Sequence, residues 1–462
     1  MHRMFVENHE RVTSAIRKDL GGPKFRGLVE NLTASSVKHC LDNIDEWTKP
    51  EIVKHNSMFG KSLVRKEPKG VVLLIAPWNY PINLVFKPLA SIVAAGNCAV
   101  IKPSEMAPHC AALTEELVKK YLDPRCFRVV QGEVPETTAL LRLRWDHILY
   151  TGNGAVAKIV MRAASKHLIP VTLELGGKSP VIVDQTAKID LVVKRIAFGK
   201  FLNVGQTCVS PDYVLVHKSK APELVKKFKA LVAKMFKGNP KASKDYGSIV
   251  NSRHTDRIHR LVRDTTGKIV EGGGFEISSS EKFVPPTIVL NPSKSDTLMR
   301  EEIFGPVLPI RTFETIDEAI EMVNETCDHP LALYIFSESE KNIDHILNRT
   351  TSGGVAVNAV MEHLHDNLPF GGVGESGMGS YGGRWGFEEF SHFRAVMYKD
   401  TRWTGAGVLL PPYSPKVYEY GTKYMLTGFF TDAQKRIMKA VAGLSGVALA
   451  FFLLRGRRGS RL

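Results

Sequence analysis

Five apolar residues in a row, Val71-Val72-Leu73-Leu74-Ile75, run into Ala76-Pro77 and constrain the fold more than any other stretch of this chain. A strand with one wet face alternates apolar and polar residues, whereas this run is apolar on both faces and is bounded by a proline. It reads as a buried parallel strand, and such strands occur where helices cover both sides of a sheet. Ala99-Val100-Ile101 repeats the pattern. Between the two, residues 88–95 read as a small-residue helix stopping at Gly96. Residues 108–122 carry apolar residues on one face and Glu115, Glu116, Lys119 and Lys120 on the other. Short runs at 127–130 and 147–150 continue the sheet. A second series opens after Lys178 with Val181-Ile182-Val183 and residues 213–216, and 224–237 place Leu, Val and Phe at helical spacing. Strands alternating with helices predict an α/β chain of two successive doubly wound units without an internal repeat. Gly272-Gly273-Gly274 and Ser278-Ser279-Ser280 read as loop tips.

With 462 residues and 44% hydrophobic content, the chain is long enough for two or three domains with ordinary cores. Its six cysteines, Cys40, Cys98, Cys110, Cys126, Cys208 and Cys327, are scattered, form no CxxC pair and follow no signal-peptide pattern. That usage fits a reducing compartment, where the sequons at Asn31, Asn324 and Asn348 are accidental. The net charge of +15 admits nucleic acid or a membrane surface as partner. Position decides for the membrane: seven basic residues (Lys435, Arg436, Lys439, Arg455, Arg457, Arg458, Arg461) bracket an apolar C-terminal stretch. No basic run interleaved with aromatics and no nucleic-acid module signature is present.

The chemistry rests on Gly205-Gln206-Thr207-Cys208 and, 34 residues upstream, on Glu174 within Leu173-Glu174-Leu175-Gly176-Gly177. A cysteine thiolate attacks a carbonyl, and the thioester it forms needs an activated water for release. One Cys and one Glu therefore suffice for covalent acyl chemistry. In isolation each has a structural alternative. A single Cys is more often a small buried hydrophobe, and Glu174 reads equally as a capping or salt-bridged acid. Gly152-Asn153-Gly154-Ala155-Val156-Ala157 fits the GxGxxA dinucleotide turn directly after a strand and opening a helix. The same fingerprint would take the acid about 20 residues on, Glu174, as the ribose ligand.

Taken in order, Pro77-Trp78-Asn79-Tyr80-Pro81, Ile101-Lys102-Pro103-Ser104-Glu105, Tyr150-Thr151-Gly152-Asn153-Gly154, the Glu174 and Cys208 motifs, Glu301-Glu302-Ile303-Phe304-Gly305-Pro306 and Pro369-Phe370-Gly371-Gly372-Val373-Gly374 resemble the NAD(P)-dependent aldehyde dehydrogenase superfamily. The resemblance covers residues 5–400. The phrase from Thr172 to Pro180 and the hydrophobic C-terminus are similar to the class 3 branch, above all its membrane-bound fatty aldehyde dehydrogenases. Members of that branch begin further upstream, which implies that the family's first helix is missing here.

The resemblance implies roles that the residues alone leave open. Cys208 is the nucleophile, Glu174 the general base, and Asn79, otherwise a turn residue before Pro81, an oxyanion donor. Glu105 beside Lys102 takes the adenosine ribose, which makes Glu174 a decoy for that role. A carboxylate there repels a 2′-phosphate, so NAD is expected and NADP is less favoured. Gly152, Asn153, Gly154, Ala155, Val156 and Ala157 hold the pyrophosphate, Glu302 the nicotinamide ribose, and Phe304 is the aromatic beside it. No metal is implied. The cluster Glu362-His363-Leu364-His365-Asp366 has no second ligand group at a typical spacing and borders the substrate entrance in the family. The expected organisation is a Rossmann-like NAD-binding domain (1–176), a catalytic domain (177–385), an oligomerisation strand (386–400), an amphipathic linker (401–436) and a membrane anchor (437–454).

Residues 440–454 carry no charge and would make about 22 Å of helix, or about 27 Å from Ile437, which suffices for a thin bilayer with Lys439 snorkelling or for a shallow seat in one leaflet. Ahead of it Tyr418, Tyr420, Tyr424, Phe429 and Phe430 suit an interfacial helix. Insertion so near the C-terminus follows synthesis and leaves the body in the cytosol. The endoplasmic reticulum is expected first. The SKL-like end Ser460-Arg461-Leu462 and the basic tail keep peroxisomal and mitochondrial outer membranes as alternatives. The function expected is NAD-dependent oxidation of long-chain aliphatic aldehydes to fatty acids by a homodimer. The rivals are oxidation of medium-chain or aromatic aldehydes, a silent membrane-bound scaffold of the same fold, and a cofactor-free cysteine hydrolase.

Overall fold

The computed structural model describes residues 1–53, 60–273, 276–399, 410–416, 418–419 and 422. Residues 1–49 and 66–393 form one compact unit, built on two sheets. In the first the strands run Gly377–Met378, Val171–Glu174, His147–Thr151, Val71–Ile75, Cys98–Lys102 and Phe127–Val129 in spatial order, all parallel except the first. The second runs Lys268–Glu271, Thr287–Leu290, Val307–Phe313, Tyr213–His217, Pro180–Val183, Ala332–Phe336 and Gly354–Val357, and only its first strand is antiparallel to its neighbour. The second unit, residues 50–65 and 394–462, is described through a three-stranded sheet of Glu51–Val53, Gly60–Pro68 and Ser391–Lys399.

The lack of alternation in the strands now has its cause. Val72 and Leu74 face a core built with Val85, Phe86 and Leu89 of the helix Asn83–Ala94 and Leu117 of Pro108–Tyr121. Leu73 and Ile75 face another, with Ile148, Tyr150 and the Ala157, Val160 and Ala164 stripe of the helix Gly154–Ser165. The second sheet repeats this. Val181, Val183, Val214 and Val216 pack on the helices Ile189–Phe201 and Ala221–Met235. Ile182 and Leu215 pack on Ile316–Thr326. Each side chain so buried contributes about 1.5–3 kcal/mol. The chain is thus α/β, with parallel sheets covered on both faces.

One helix differs from the reading above. It starts at Asn83 rather than at Pro88, and the proline lies in its interior. Pro88 lacks an N–H, which ordinarily breaks a helix. Here the start is fixed from elsewhere: the buried Glu30 carboxylate, on the helix Lys24–Asn31, accepts from the Ile82 and Asn83 N–H groups at 2.9 and 2.8 Å. Among the described residues no helix is long and apolar enough to cross a membrane. The apolar stretch 437–454 and most of 401–436 lie outside them.

Candidate active site

Asn79, Lys102, Gly152 and Glu174 lie at or just beyond the C-terminal ends of parallel strands of the first sheet, where open α/β sheets place their ligands, while Cys208, Glu302 and Phe304 stand on loops that precede strands of the second. Glu174 closes the strand Val171–Glu174. It is 1% exposed, and among the described residues nothing donates to either carboxylate oxygen. Burial, and then the charge of Glu389, hold its pKa well above the usual carboxylate range. Its own strand explains the second cause. Side chains two apart share a face, and the Thr172 hydroxyl on that face donates to Glu389 at 2.5 Å. His147 Nε2 meets Thr172 Oγ1 at 2.7 Å, and Lys69 Nζ meets His147 Nδ1 at 3.2 Å and also bonds the Glu389 carbonyl. Burial and the Lys69 charge push His147 down to about 3, so it stays neutral and can accept from Lys69 while donating to Thr172. Sequence reasoning missed Glu389. It carries no motif, and only the fold brings it beside Glu174.

Cys208 sits on the loop after the helix Ile189–Phe201, and a set of buried bonds fixes that loop. Gly205 turns at φ +75°, where a β-carbon would come within 2.1 Å of the Gly305 carbonyl oxygen. The Gln206 side chain donates to Asn203 O and Ser248 O at 3.1 and 3.0 Å and accepts from Val250 N at 2.9 Å. Thr207 Oγ1 meets the Tyr80 hydroxyl at 2.9 Å. Asn79, 3% exposed, donates from Nδ2 to the Gln206 carbonyl at 3.2 Å, and its own carbonyl accepts from Asn203 Nδ2 at 2.9 Å and Arg26 Nη2 at 3.2 Å. The Asn79 loop and the Cys208 loop are therefore one hydrogen-bonded object. Burial, then Glu302 and Glu174, push the Cys208 thiol up to about 12, against the backbone N–H groups of Cys208 and Val209 that face its sulfur. Both carboxylates thus lie within electrostatic reach of the thiol.

Glu302, half-buried, is the second acid here. Burial and then Asp212 push it up to about 8, against the Gly177 N–H. The buried Lys178 holds its loop: it pairs with Asp212 and donates to Leu298 O and Glu301 O at 2.8 and 2.9 Å, while Asp212 accepts from Ile303 N at 3.1 Å. Arg257 adds a bond to Glu302 O at 3.1 Å. Phe304 stands edge-on to Trp78, with ring centroids 5.5 Å apart. Lys200, fully buried, has no hydrogen-bond partner for Nζ among the described residues, and burial pushes it down to about 8.

On the first sheet, Lys102 Nζ pairs with Glu105 at 2.8 Å, the lysine buried and the glutamate outward. Asn153 caps the helix Gly154–Ser165 by accepting from Val156 N at 3.0 Å. A β-carbon at Gly152 would strike the Tyr150 hydroxyl at 2.2 Å, whereas one at Gly154 would meet nothing within 4 Å. Ala155 is exposed and Val156 half-buried, but Ala157 lies in the core, so its part in the turn is helix packing. An open helix N-terminus, an outward carboxylate beside a lysine, and a half-buried acid near an aromatic are groups of the kind that phosphate and ribose hydroxyls take. The acidic and histidine cluster does not assemble. Glu362 pairs with Arg195, Asp366 with Lys87 at 3.1 Å, and His363 packs on Tyr334. Among the described residues no group of His, Cys, Asp and Glu is placed to hold a metal ion.

The model of the aldehyde dehydrogenase family matches residues 1–396. The chain belongs to the aldehyde dehydrogenase family. It is 42% identical over 435 residues to aldehyde dehydrogenase family 3 member A2 of Mus musculus, covering 93% of this chain and 89% of that one. It is 44% identical over 409 residues to the dimeric NADP-preferring aldehyde dehydrogenase of Rattus norvegicus, covering 86% and 88%. The substrate-bound structure of AldH from Staphylococcus aureus superposes with a TM-score of 0.87 at 40% identity, over 92% and 93% of the two chains. These likenesses place the chain in the class 3 branch, as an NAD(P)-dependent oxidoreductase acting on aldehydes.

Proposed function

We propose that this aldehyde dehydrogenase oxidises long-chain aliphatic aldehydes to fatty acids, with Cys208 as nucleophile, Glu174 as general base and Asn79 as oxyanion donor. The observation that carries the assignment is the pairing of a desolvated thiol with a desolvated, unbonded carboxylate in electrostatic reach of it. Cys208 Sγ adds to the aldehyde carbonyl. The resulting oxyanion takes donors from the Asn79 carboxamide and the Cys208 N–H, each worth roughly 3 kcal/mol of barrier. When bound, the nicotinamide supplies the hydride acceptor. Glu174 then takes a proton from the water that attacks the Cys208 thioester, and burial makes it a stronger base than a solvated carboxylate.

We assign Lys102 and Glu105 to the adenosine ribose, 152–157 to the pyrophosphate, and Glu302 with Phe304 to the nicotinamide end. The outward Glu105 carboxylate favours NAD over NADP, although the rat relative is named NADP-preferring. The proposed organisation is cofactor domain 1–176, catalytic domain 177–385, oligomerisation strand 386–400 in a homodimer, amphipathic linker 401–436 and anchor 437–454. The anchor's support is the charge-free run 440–454 between basic flanks. It would hold the body on the cytosolic face of a membrane, that of the endoplasmic reticulum first. Each methylene buried in lipid contributes about 0.8 kcal/mol, so a long-chain aldehyde resides in the bilayer and an anchored enzyme meets it there.

The test is a panel of aldehydes of rising length, with NAD, with NADP and with neither, on the full chain and on a chain ending at Gln434, each with lipid vesicles. Efficiency should rise with length, require the cofactor and fall on long substrates when the tail is removed. Turnover without cofactor would overturn the mechanism. Full-length protein left in the supernatant, or a preference for medium-chain or aromatic aldehydes, would overturn the membrane and substrate assignments.

A further inference from the structure

The six cysteines are all free and all described, and two of them stand side by side. The parallel strands Cys98–Lys102 and Phe127–Val129 pair with Ala99 opposite Phe127, and Ala99 N donates to the Cys126 carbonyl at 3.0 Å. One residue before that pair, Cys98 at the start of its strand stands across from Cys126, the last residue of the turn that leads into Phe127–Val129. Neighbouring strands lie about 4.8 Å apart, inside the window of roughly 4.4–6.8 Å between α-carbons that a disulfide needs. Burial, then the Cys126 thiol and Asp123, hold the Cys98 thiol above its usual range, so the two thiols lie within electrostatic reach of one another.

Access and surroundings separate this pair from the other cysteines. Cys40 and Cys110 are buried, Cys208 belongs to the active site, and Cys327 receives the Lys178 and His329 N–H groups. Cys98 and Cys126 are both half-buried, Cys98 opening the strand beside the sheet's edge strand and Cys126 leading into that edge strand directly after the exposed turn 123–125, which an Asp123–Arg125 ion pair at 2.8 Å holds. The pair also lies at the end of the strand away from Lys102, about 13 Å along it. Chemistry there need not disturb the cofactor residues.

We propose that Cys98 and Cys126 form a second, non-catalytic thiol site that organic hydroperoxides and hydrogen peroxide close to an intrachain disulfide. The hydroperoxide oxidises the Cys126 thiol to a sulfenic acid and is itself reduced to the alcohol, or to water. Cys98 Sγ then attacks Cys126 Sγ, the S–S bond forms, and the sulfenic oxygen leaves as water with the Cys98 proton. The sum is two thiol hydrogens lost and one peroxide O–O bond reduced, and a dithiol reductant reverses it.

The test uses the reduced full chain with NAD bound, treated with one equivalent of cumene hydroperoxide, then alkylated, digested and mapped by mass spectrometry. The expected product joins the Cys98 and Cys126 peptides with loss of two hydrogens, disappears with dithiothreitol, and is absent from C98S and C126S. Aldehyde turnover of C98S and of the oxidised wild type should remain within about two-fold of the reduced enzyme. The proposal is overturned if Cys98 and Cys126 stay alkylatable while Cys208 oxidises. It is equally overturned if either thiol proceeds to sulfinic acid without a cross-link, or if the cross-link joins another cysteine.

Discussion

Gly176 lies so close to Glu302 that a β-carbon on it would come within 2.2 Å of the carboxylate. Gly176, two residues after Glu174, thus leaves room for the acid assigned to the nicotinamide ribose. Gly176→Ala should move Glu302 and weaken cofactor binding while the fold survives. Overpacking of this kind costs about 1–3 kcal/mol, and roughly 1.4 kcal/mol is ten-fold in affinity. Titration of cofactor by quenching of protein fluorescence, beside a thermal melt, separates the two. Unchanged affinity would remove Glu302 from the cofactor site.

Cys208→Ala should abolish NADH formation and leave cofactor affinity within about two-fold, since Cys208 is not among the residues assigned to the adenosine and the pyrophosphate. Measurable turnover in that variant would exclude the covalent route.

The thiol itself can be followed by alkylation. Without cofactor, Cys208 is pushed up to about 12, so its reaction with iodoacetamide should climb about ten-fold per pH unit between pH 7 and 10 with no plateau. Glu302 is the largest charge opposing the thiolate, and it is itself ionised above about 8. Glu302→Gln should therefore speed alkylation of Cys208 at pH 9. A slower reaction would mean that Glu302 acts on the thiol in the opposite sense.

Glu174 must be unprotonated to take a proton from water, and its pKa stands above the usual range because of burial and of Glu389. Thioester hydrolysis should accordingly rise with pH through that raised pKa. Glu389→Gln keeps an acceptor for Thr172 but removes the charge, so the acid limb of the hydrolysis profile should move to lower pH. Glu174→Gln should give one equivalent of NADH in a burst and then a slow phase. Single-turnover kinetics across pH test both. If Glu174→Gln mainly raised the NAD dissociation constant, Glu174 would be the ribose ligand after all.

Arg26 is 1% exposed, donates to the Leu20 and Asn79 carbonyls at 3.3 and 3.2 Å, and lies within electrostatic reach of the buried Glu30. Removing one partner of a buried pair costs about 3–5 kcal/mol. Arg26→Met should lower the melting temperature by several degrees and reduce kcat more than it raises KM, because the Asn79 loop loses a bond on its carbonyl. A loss of stability with kcat unchanged would confine Arg26 to folding.

Much of the architecture was legible because burial on both faces leaves a mark in composition. A strand such as Val71–Ile75 must be apolar throughout when Val72 and Leu73 enter different cores. The Cys208 and Glu174 motifs were legible for a related reason: a glycine turn leading into a cysteine and a glycine-flanked acid are local patterns. The start of the helix at Asn83 was not legible, since its cap is a carboxylate more than fifty positions away. Nor was Glu389, whose effect on Glu174 depends on the strand face it shares with Thr172.

The sequence by itself determined the α/β class and marked Cys208, Glu174 and the glycine turn as candidates, because each follows from local periodicity or from residues adjacent in the chain. Only the tertiary structure decided which distant groups meet: Arg26 and Asn203 on Asn79, Glu389 near Glu174, Glu302 against Gly176, Cys98 beside Cys126. Proton affinities were decided there too. They depend on how much water the packed chain removes from a group and on which charges it leaves nearby, and neither is a property of neighbours in sequence.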